Sequence, residues 1–96
     1  MSVVAAKGFR ATGVACGIKP EGRDLAVVIA DVPSVAAGVF TQNQAAAAPV
    51  ELSRHHLAEG SGASAVVINS GCANAATGPR GSSNANAMAA SVAGAL

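Results

Sequence analysis

The sequence has little aromatic surface and little charge. Among 96 residues there is no Trp or Tyr and only two Phe, charged residues make up 11%, and the net charge is +1. Without a basic stripe a nucleic-acid partner is not expected. The longest apolar run is the six residues Leu25–Ala30, which is too short to cross a bilayer, so no membrane association is expected either.

Cofactor and metal motifs are also missing. The sequence has no Gly-Lys-Ser/Thr of a phosphate-binding loop and no C-x-x-C or H-x-x-x-H spacing. His55 and His56 are adjacent, about 100° apart on a helix, which favours a solvated helix face over a metal site. We therefore expect no metal and no cofactor. Cys16 and Cys72 are interpreted as thiols of a cytoplasmic protein rather than as a disulfide.

The apolar share of 51% consists largely of small side chains. Ala supplies 24 residues, whereas Val, Ile, Leu and Phe together supply 21, and burying an Ala stabilises much less than burying a Leu. Met88, Val92 and Leu96 recur on one helical face, and no stop signal follows Leu96. We therefore expect residues 1–96 to be a single partial domain that continues in a longer natural chain.

Short strands are predicted in the first half of the chain. The candidates are Val14–Ile18, the apolar run Leu25–Ala30 and Val35–Thr41, separated by turn-rich segments. Starts near 14, 25 and 35 match the 8–12-residue spacing of an antiparallel meander. Cys16, inside the first of these strands, is predicted to be a core residue.

Helices and one further strand are predicted in the second half. Pro49 disfavours helix in the residue before it, so Pro49–Leu52 is predicted to be extended. Ser53 can cap a short helix over Arg54–Glu59. The β-branched cluster in Ala63–Ile68 favours a strand, and Ser83–Leu96 is predicted to be helical, capped by Ser82 or Ser83. The fold class expected from this pattern is α/β, of the α+β type.

The polar loop between the last predicted strand and the last helix, residues 69–82, is the main candidate for ligand contact. Loops at the carboxyl ends of strands are favoured ligand sites in open α/β sheets. Neutral amide and hydroxyl groups suit an amide or an amino-acid backbone, although Asn and Gly also serve simply as turn and cap residues. The candidate site residues are Asn69, Ser70, Gly71, Asn74, Thr77 and Gly78.

The sequence contains two weaker motifs besides this loop. Residues 60–65, which include Ser61, fit G-x-G-x-x-A, but they precede a strand instead of following one, so a turn is the better interpretation. Cys72 lies in the Gly- and Asn-rich loop, where a histidine partner would make it a nucleophile. Nothing in the sequence brings a histidine to it, so an inert loop thiol is favoured.

Four ordered segments of the chain resemble the ornithine acetyltransferase family, whose members can be bifunctional with glutamate N-acetyltransferase. The loop segment AVVINSGCANAATG is similar to the family's N-S-G-N-A-N-A-C-T-G stretch. Order and spacing match as well, and the resemblance runs from about Lys7 to the last helix. The other segments are Gly8–Ala11 with Gly13–Lys19, Asp24–Ala26, and Ala37–Thr41 continuing from Asn43 to Val50.

The resemblance implies a layered α/β (α+β) fold with N-terminal-nucleophile-like chemistry. The family transfers an acetyl group from N-acetylornithine to glutamate in arginine biosynthesis, and some members also use acetyl-CoA. A precursor cleaves itself before a Thr, giving α and β chains that assemble as an α2β2 heterotetramer, and the freed Thr carries the acetyl group. Thr77-Gly78 is not the family's oxyanion-hole Thr-Gly pair, which lies downstream with the nucleophile. The resemblance thus implies the N-terminal part of an α chain with no catalytic residue, inactive alone.

The sequence departs from the family pattern within the loop. Cys72 stands where Asn is usual and Ala76 where Cys is usual, which is interpreted as a packing exchange rather than a change of specificity. A self-sufficient module that binds a small ligand with the 69–82 loop remains the alternative function, and a Cys72 hydrolase is the third hypothesis.

Overall fold

A computed structural model describes residues 2–60 and 62–96. Ser61, in the middle of the predicted G-x-G-x-x-A turn, lies outside these described residues. The chain divides into two compact units, which we call the sheet unit (Met1–Val35 and Gly62–Ala73) and the helix unit (Ala36–Ser61 and Asn74–Leu96). A small antiparallel sheet with two α-helices confirms the predicted α+β class.

The sheet unit consists of three antiparallel strands and a short 3-10 helix over Val3–Ala5. The strands are β1 (Phe9–Val14), β2 (Leu25–Ala30) and β3 (Ala65–Asn69), in the order β1-β2-β3. In the register, Val28 of the central strand faces Ala11 on one side and Val66 on the other. The predicted strand Leu25–Ala30 is confirmed. The strand predicted over Ala63–Ile68 also forms, with its bounds shifted to Ala65–Asn69.

The first strand lies earlier in the sequence than predicted. The strand is Phe9–Val14 rather than Val14–Ile18, because the chain leaves the sheet after Val14. Gly17 adopts a φ of 89°, and the Asp24 carboxylate binds main-chain amides of this segment. These interactions hold residues 15–19 in a turn, so the prediction that Cys16 is a core residue is also wrong, and Cys16 is exposed.

The third predicted strand, Val35–Thr41, does not form, and β3 takes its place in the sheet. The segment has no regular structure, and Val35 and Val39 are 97% and 99% exposed. Residues 36–41 belong instead to the helix unit. An Arg54 guanidinium nitrogen donates to the main-chain oxygen of Thr41 at 2.9 Å, and the Arg54 guanidinium lies 5.6 Å from the centroid of the Phe40 ring.

Two helices, α1 (Ala48–Ala58) and α2 (Gly78–Ala95), contact each other in the helix unit. Both begin earlier than predicted, and both have a Pro in the first turn. The extended segment predicted for Pro49–Leu52 is therefore wrong. Proline is tolerated in a first turn because its missing N–H would have no partner there.

Few of the described residues are buried, as the Ala-rich composition predicts. They are Asp24, Gly81 and Ala85. The buried face of α2 runs from Gly81 and Ala85 to the half-buried Met88 and Val92. Leu96, predicted to end this stripe, is 59% exposed.

Candidate functional site

The six predicted site residues fall in two different units. Asn69, Ser70 and Gly71 belong to the sheet unit, whereas Asn74, Thr77 and Gly78 belong to the helix unit. The structure therefore brings each set of three together within its own unit.

In the sheet unit the loop leaves the sheet beside a single buried carboxylate. Asn69 is the last residue of β3 and pairs with Leu25. The Ser70 amide then donates to the main-chain oxygen of Asp24 at 2.9 Å. Within the described part of the chain, the Asn69 side-chain amide and the Ser70 hydroxyl form no hydrogen bond, so their polar groups remain available to a ligand.

Asp24 is the buried charged residue of the described chain, with 3% of its surface exposed. Its two carboxylate oxygens accept from the main-chain amides of Lys19 at 2.9 Å and Cys16 at 2.8 Å. These amides, that of Lys19 foremost, stabilise the charged form and lower the pKa of Asp24 to about 2. Its own amide donates to Val14 at 3.0 Å, so Asp24 joins β1, the 15–19 turn and the start of the loop.

Gly71 lies directly beneath the Lys19 side chain. It adopts a φ of 96°, which favours glycine, and a Cβ at this position would overlap the Lys19 methylene groups and lie 3.5 Å from Cγ2 of Ile18. An open depression of about 270 Å³ borders the loop and is lined by residues of all three strands together with Asp24, Asn69 and Ser70. The loop is thus packed on the Lys19 side and open toward this depression.

In the helix unit the predicted residues are engaged in starting α2. The Asn74 side-chain amide donates to the main-chain oxygen of Gly81 at 2.7 Å, and the Thr77 hydroxyl donates to Asn74 Oδ1. Gly78 opens the helix with a φ of 64°, and Ala76 has a φ of 54°. The polar groups of Asn74 and Thr77 therefore stabilise the fold. This agrees with the alternative that Asn and Gly in this loop serve as turn and cap residues.

The residues behind the weaker hypotheses lie at the surface. Cys16 and Cys72 are both exposed and free. The Asp24 carboxylate beside the Cys16 thiol favours its protonated form and raises the pKa of Cys16. His55 and His56 are exposed on α1, where His55 Nε2 lies 3.0 Å from a Glu59 carboxylate oxygen. Over residues 2–60 and 62–96, no group of three or more His, Cys, Asp or Glu side chains is placed to hold a metal ion.

Asp24 and Lys19 are the site residues that reasoning from sequence did not single out. Both lay in segments that resemble the acetyltransferase family, but neither was proposed to contribute to a site. A charged residue directly before a wholly apolar strand was the available signal.

Among the described helices, none is long and apolar enough to cross a membrane.

Comparison with known proteins connects the chain to one family. The profile of the ArgJ family matches residues 10–96. The chain is 56% identical over 80 residues to the arginine biosynthesis bifunctional protein ArgJ of Gloeobacter violaceus, covering 82% of the chain and 20% of that protein. It is 54% identical over 98 aligned positions to the protein of the same name from Thermobifida fusca, covering 100% of the chain and 25% of the relative.

Two solved structures resemble the chain closely. One is the arginine biosynthesis bifunctional protein ArgJ of Bacillus halodurans, with a TM-score of 0.89 and 40% identity, covering 94% of this chain and 47% of that one. The other is the ornithine acetyltransferase of Mycobacterium tuberculosis complexed with ornithine, with a TM-score of 0.86 and 49% identity, covering 91% and 46%. The chain spans about a fifth of the length of the Gloeobacter violaceus relative and a quarter of the length of the Thermobifida fusca relative.

Proposed function

The chain belongs to the ArgJ family, and on that premise we propose that it is part of an acyltransferase that moves an acetyl group from N-acetylornithine to glutamate in arginine biosynthesis. Acetyl-CoA is proposed as a second donor. The observation that carries the proposal is the similarity, at 49% identity and a TM-score of 0.86, to an ornithine acetyltransferase that was crystallised with ornithine. No cofactor is required for this transfer.

The proposed reaction has two acyl-transfer steps. A Thr hydroxyl attacks the acetyl carbonyl of N-acetylornithine, and the departing ornithine amine takes up a proton as the acetyl-threonine ester forms. The glutamate amine then attacks the ester, which gives N-acetylglutamate and restores the hydroxyl. A chain-terminal amine can act as the base, and a Thr-Gly pair stabilises the oxyanion. By resemblance, these groups belong to sequence downstream of the residues described here.

Within this enzyme we propose that residues 1–96 are a partial domain, the N-terminal part of an α chain. The proposal includes self-cleavage of a precursor, an α2β2 heterotetramer with the β chain, and a cytoplasmic location. The same candidate residues are proposed for the substrate cleft (Asn69, Ser70, Gly71, Asn74, Thr77, Gly78). Asn69 and Ser70 are the strongest of them because their side chains have no hydrogen-bond partner in the described chain.

A chimeric enzyme tests the proposal. The matched quarter of the Thermobifida fusca relative is replaced by this chain, which aligns with it over its full length. We expect the purified chimera to convert N-acetylornithine and glutamate into ornithine and N-acetylglutamate. The 96-residue chain alone is expected to be inactive, as is the relative without its matched quarter.

The result against the proposal is equally definite. A chimera that assembles like the parent enzyme but transfers no acetyl group would contradict it. If the 96-residue chain also unfolds cooperatively and binds ornithine by itself, the self-sufficient binding module becomes the better explanation. Full activity after Cys72→Ser would end the Cys72 hydrolase hypothesis.

A further inference from the structure

The Asp24 carboxylate reaches the candidate substrate loop by two routes. The direct route is the main chain, because the Asp24 carbonyl oxygen accepts from the Ser70 amide at 2.9 Å. The indirect route begins at the side chain, which holds the 15–19 turn through the amides of Cys16 and Lys19. It ends at Gly71, whose Cα lies beneath the Lys19 methylene groups.

The Asp24 carboxylate and the Lys19 side chain leave the Asn69–Gly71 loop little room to move where Gly71 meets Lys19. A buried acceptor that binds two main-chain amides fixes the turn firmly, since charged hydrogen bonds are stronger than neutral ones. The half-buried Lys19 stem then fills the space in which Gly71 would otherwise move. All of these residues belong to the sheet unit.

We propose that Asp24 is the positioning residue of the Asn69–Gly71 loop, acting through Lys19 and through its own main-chain oxygen. Asp24 does not contact substrate in this proposal; it sets where the Asn69 and Ser70 side chains present their polar groups. The consequence for substrate binding rests on the proposed function. The structural consequence, a loop that loosens when the turn is released, does not.

Asp24→Asn is the first test, because the amide keeps the shape but can accept with only one of its two side-chain atoms. Its NH2 group would then face an N–H donor, so one amide of the turn loses its partner. In the chimeric enzyme, we expect hydrogen exchange to accelerate about tenfold at residues 15–19 and at residues 69–71. Asp31→Asn is the matched control: it removes an exposed carboxylate that pairs with Arg10 at 2.6 Å, and both segments should exchange as before.

Lys19→Ala separates the two routes. It leaves the main-chain amide of Lys19 on the Asp24 carboxylate but removes the methylene groups that cover Gly71. We expect faster exchange at residues 69–71, with residues 15–19 unchanged. This variant also decides the proposal if Asp24→Asn fails to fold.

Kinetics of the chimeric enzyme distinguish positioning from a general structural role. Asp24→Asn and Lys19→Ala are expected to raise KM for N-acetylornithine about tenfold and to leave kcat per active site nearly unchanged. A merely structural role would reduce the amount of active enzyme and leave KM as it was.

Three results would overturn the proposal. They are an unmodified chimera without exchange protection at Ser70, unchanged exchange at residues 69–71 in both variants, and faster exchange with an unaltered KM. An unmodified chimera without acetyl transfer would count against the proposed function, whereas the exchange data would still decide whether Asp24 positions the loop.

Discussion

The side-chain amide of Asn74 donates to the main-chain oxygen of Gly81 at 2.7 Å and thereby ties the loop to the first turns of α2. The Thr77 hydroxyl completes the cluster by donating to the same Asn74 side chain. No side chain caps this helix in the usual way. The Asn74–Thr77–Gly81 cluster therefore holds the loop to the helix through a main-chain oxygen, which differs from an N-cap, whose side chain accepts from a main-chain N–H.

Gly81→Ala should destabilise the chain, although Ala is normally the better helix former. A Cβ at this position would overlap Thr77 Oγ1 and Asn74 Oδ1, so the hydrogen bonds of the cluster would have to break or shift. We expect a loss of roughly 1–3 kcal/mol in the free energy of unfolding, the usual cost of overpacking or of an unsatisfied polar group. Urea unfolding followed by circular dichroism measures it.

Gly94→Ala in the same helix is the matched control. A Cβ at Gly94 meets nothing within 4 Å, so this change should stabilise the chain by about 0.5–1 kcal/mol. Equal stability of the two variants would show that the cluster does not restrict position 81.

The start of each helix could not be predicted because two local rules compete. Pro49 disfavours helix in the residue before it, which predicts an extended segment, but its position in the first turn of α1 makes it compatible with the helix. Pro79 plays the same part in α2, which begins at Gly78, five residues before the predicted start at Ser83. Strand β2 was predictable because a continuous apolar run fits a central strand with neighbours on both sides.

The segment Val35–Thr41 shows the limit of strand propensity. Its Val, Phe and Thr residues favour a strand, but a strand also needs a hydrogen-bonding neighbour. That place beside β2 is taken by β3, which comes from distant sequence. Long-range pairing of this kind has no local signal.

The candidate loop was predictable from its polarity and its place after a strand, whereas the residue beneath it was not. Asp24 is in a turn-rich stretch, where an acidic residue is ordinarily exposed. Its burial follows from the way the 15–19 turn folds back over it, with the amides of Cys16 and Lys19 directed at the carboxylate. Sequence spacing does not encode that geometry.

The stability of the chain should depend on pH through Asp24. Its pKa is lowered to about 2 in the folded chain, against about 3.9 for an unperturbed Asp. The unfolded state therefore takes up the proton first, so the stabilisation is fully present above about pH 4 and is lost as pH falls toward 2. Urea midpoints measured between pH 2 and 6 should decrease as the pH is lowered from about 4 to 2. Asp24→Asn should flatten that part of the plot of midpoint against pH.

Asp31→Asn serves again as the comparison for this profile. Asp31 is also a carboxylate of the sheet unit, but its side chain is 42% exposed, and exposed pairs contribute little to stability. An Asp31→Asn profile that flattens as much as the Asp24→Asn profile would assign the acid sensitivity to carboxylates in general.

Arg54 should stabilise the packing of the irregular segment that precedes α1 against that helix. Its guanidinium binds Thr41 and Glu51 at 2.9 and 3.0 Å and lies over the Phe40 ring. Arg54→Met keeps the apolar stem and removes the charge, and we expect a loss of about 1 kcal/mol because the group is partly exposed. A double-mutant cycle with Phe40→Leu measures the coupling by urea unfolding. Full additivity of the two changes would exclude an energetic contact between the ring and the guanidinium.

The Cys16 thiol should react slowly for an exposed cysteine. The Asp24 carboxylate raises the pKa of Cys16, because a negative charge disfavours a thiolate beside it. Because the thiolate is the reactive form, Asp24→Asn should accelerate alkylation of Cys16 by iodoacetamide at pH 7.5. Rates are measured in the Cys72→Ser background, so that the alkylation observed is that of Cys16. In the reciprocal Cys16→Ser background, Cys72 should react at the same rate with or without Asp24. Acceleration at both cysteines would indicate general loosening of the sheet unit, whereas acceleration at Cys16 alone confines the effect to the carboxylate and the 15–19 turn that it holds.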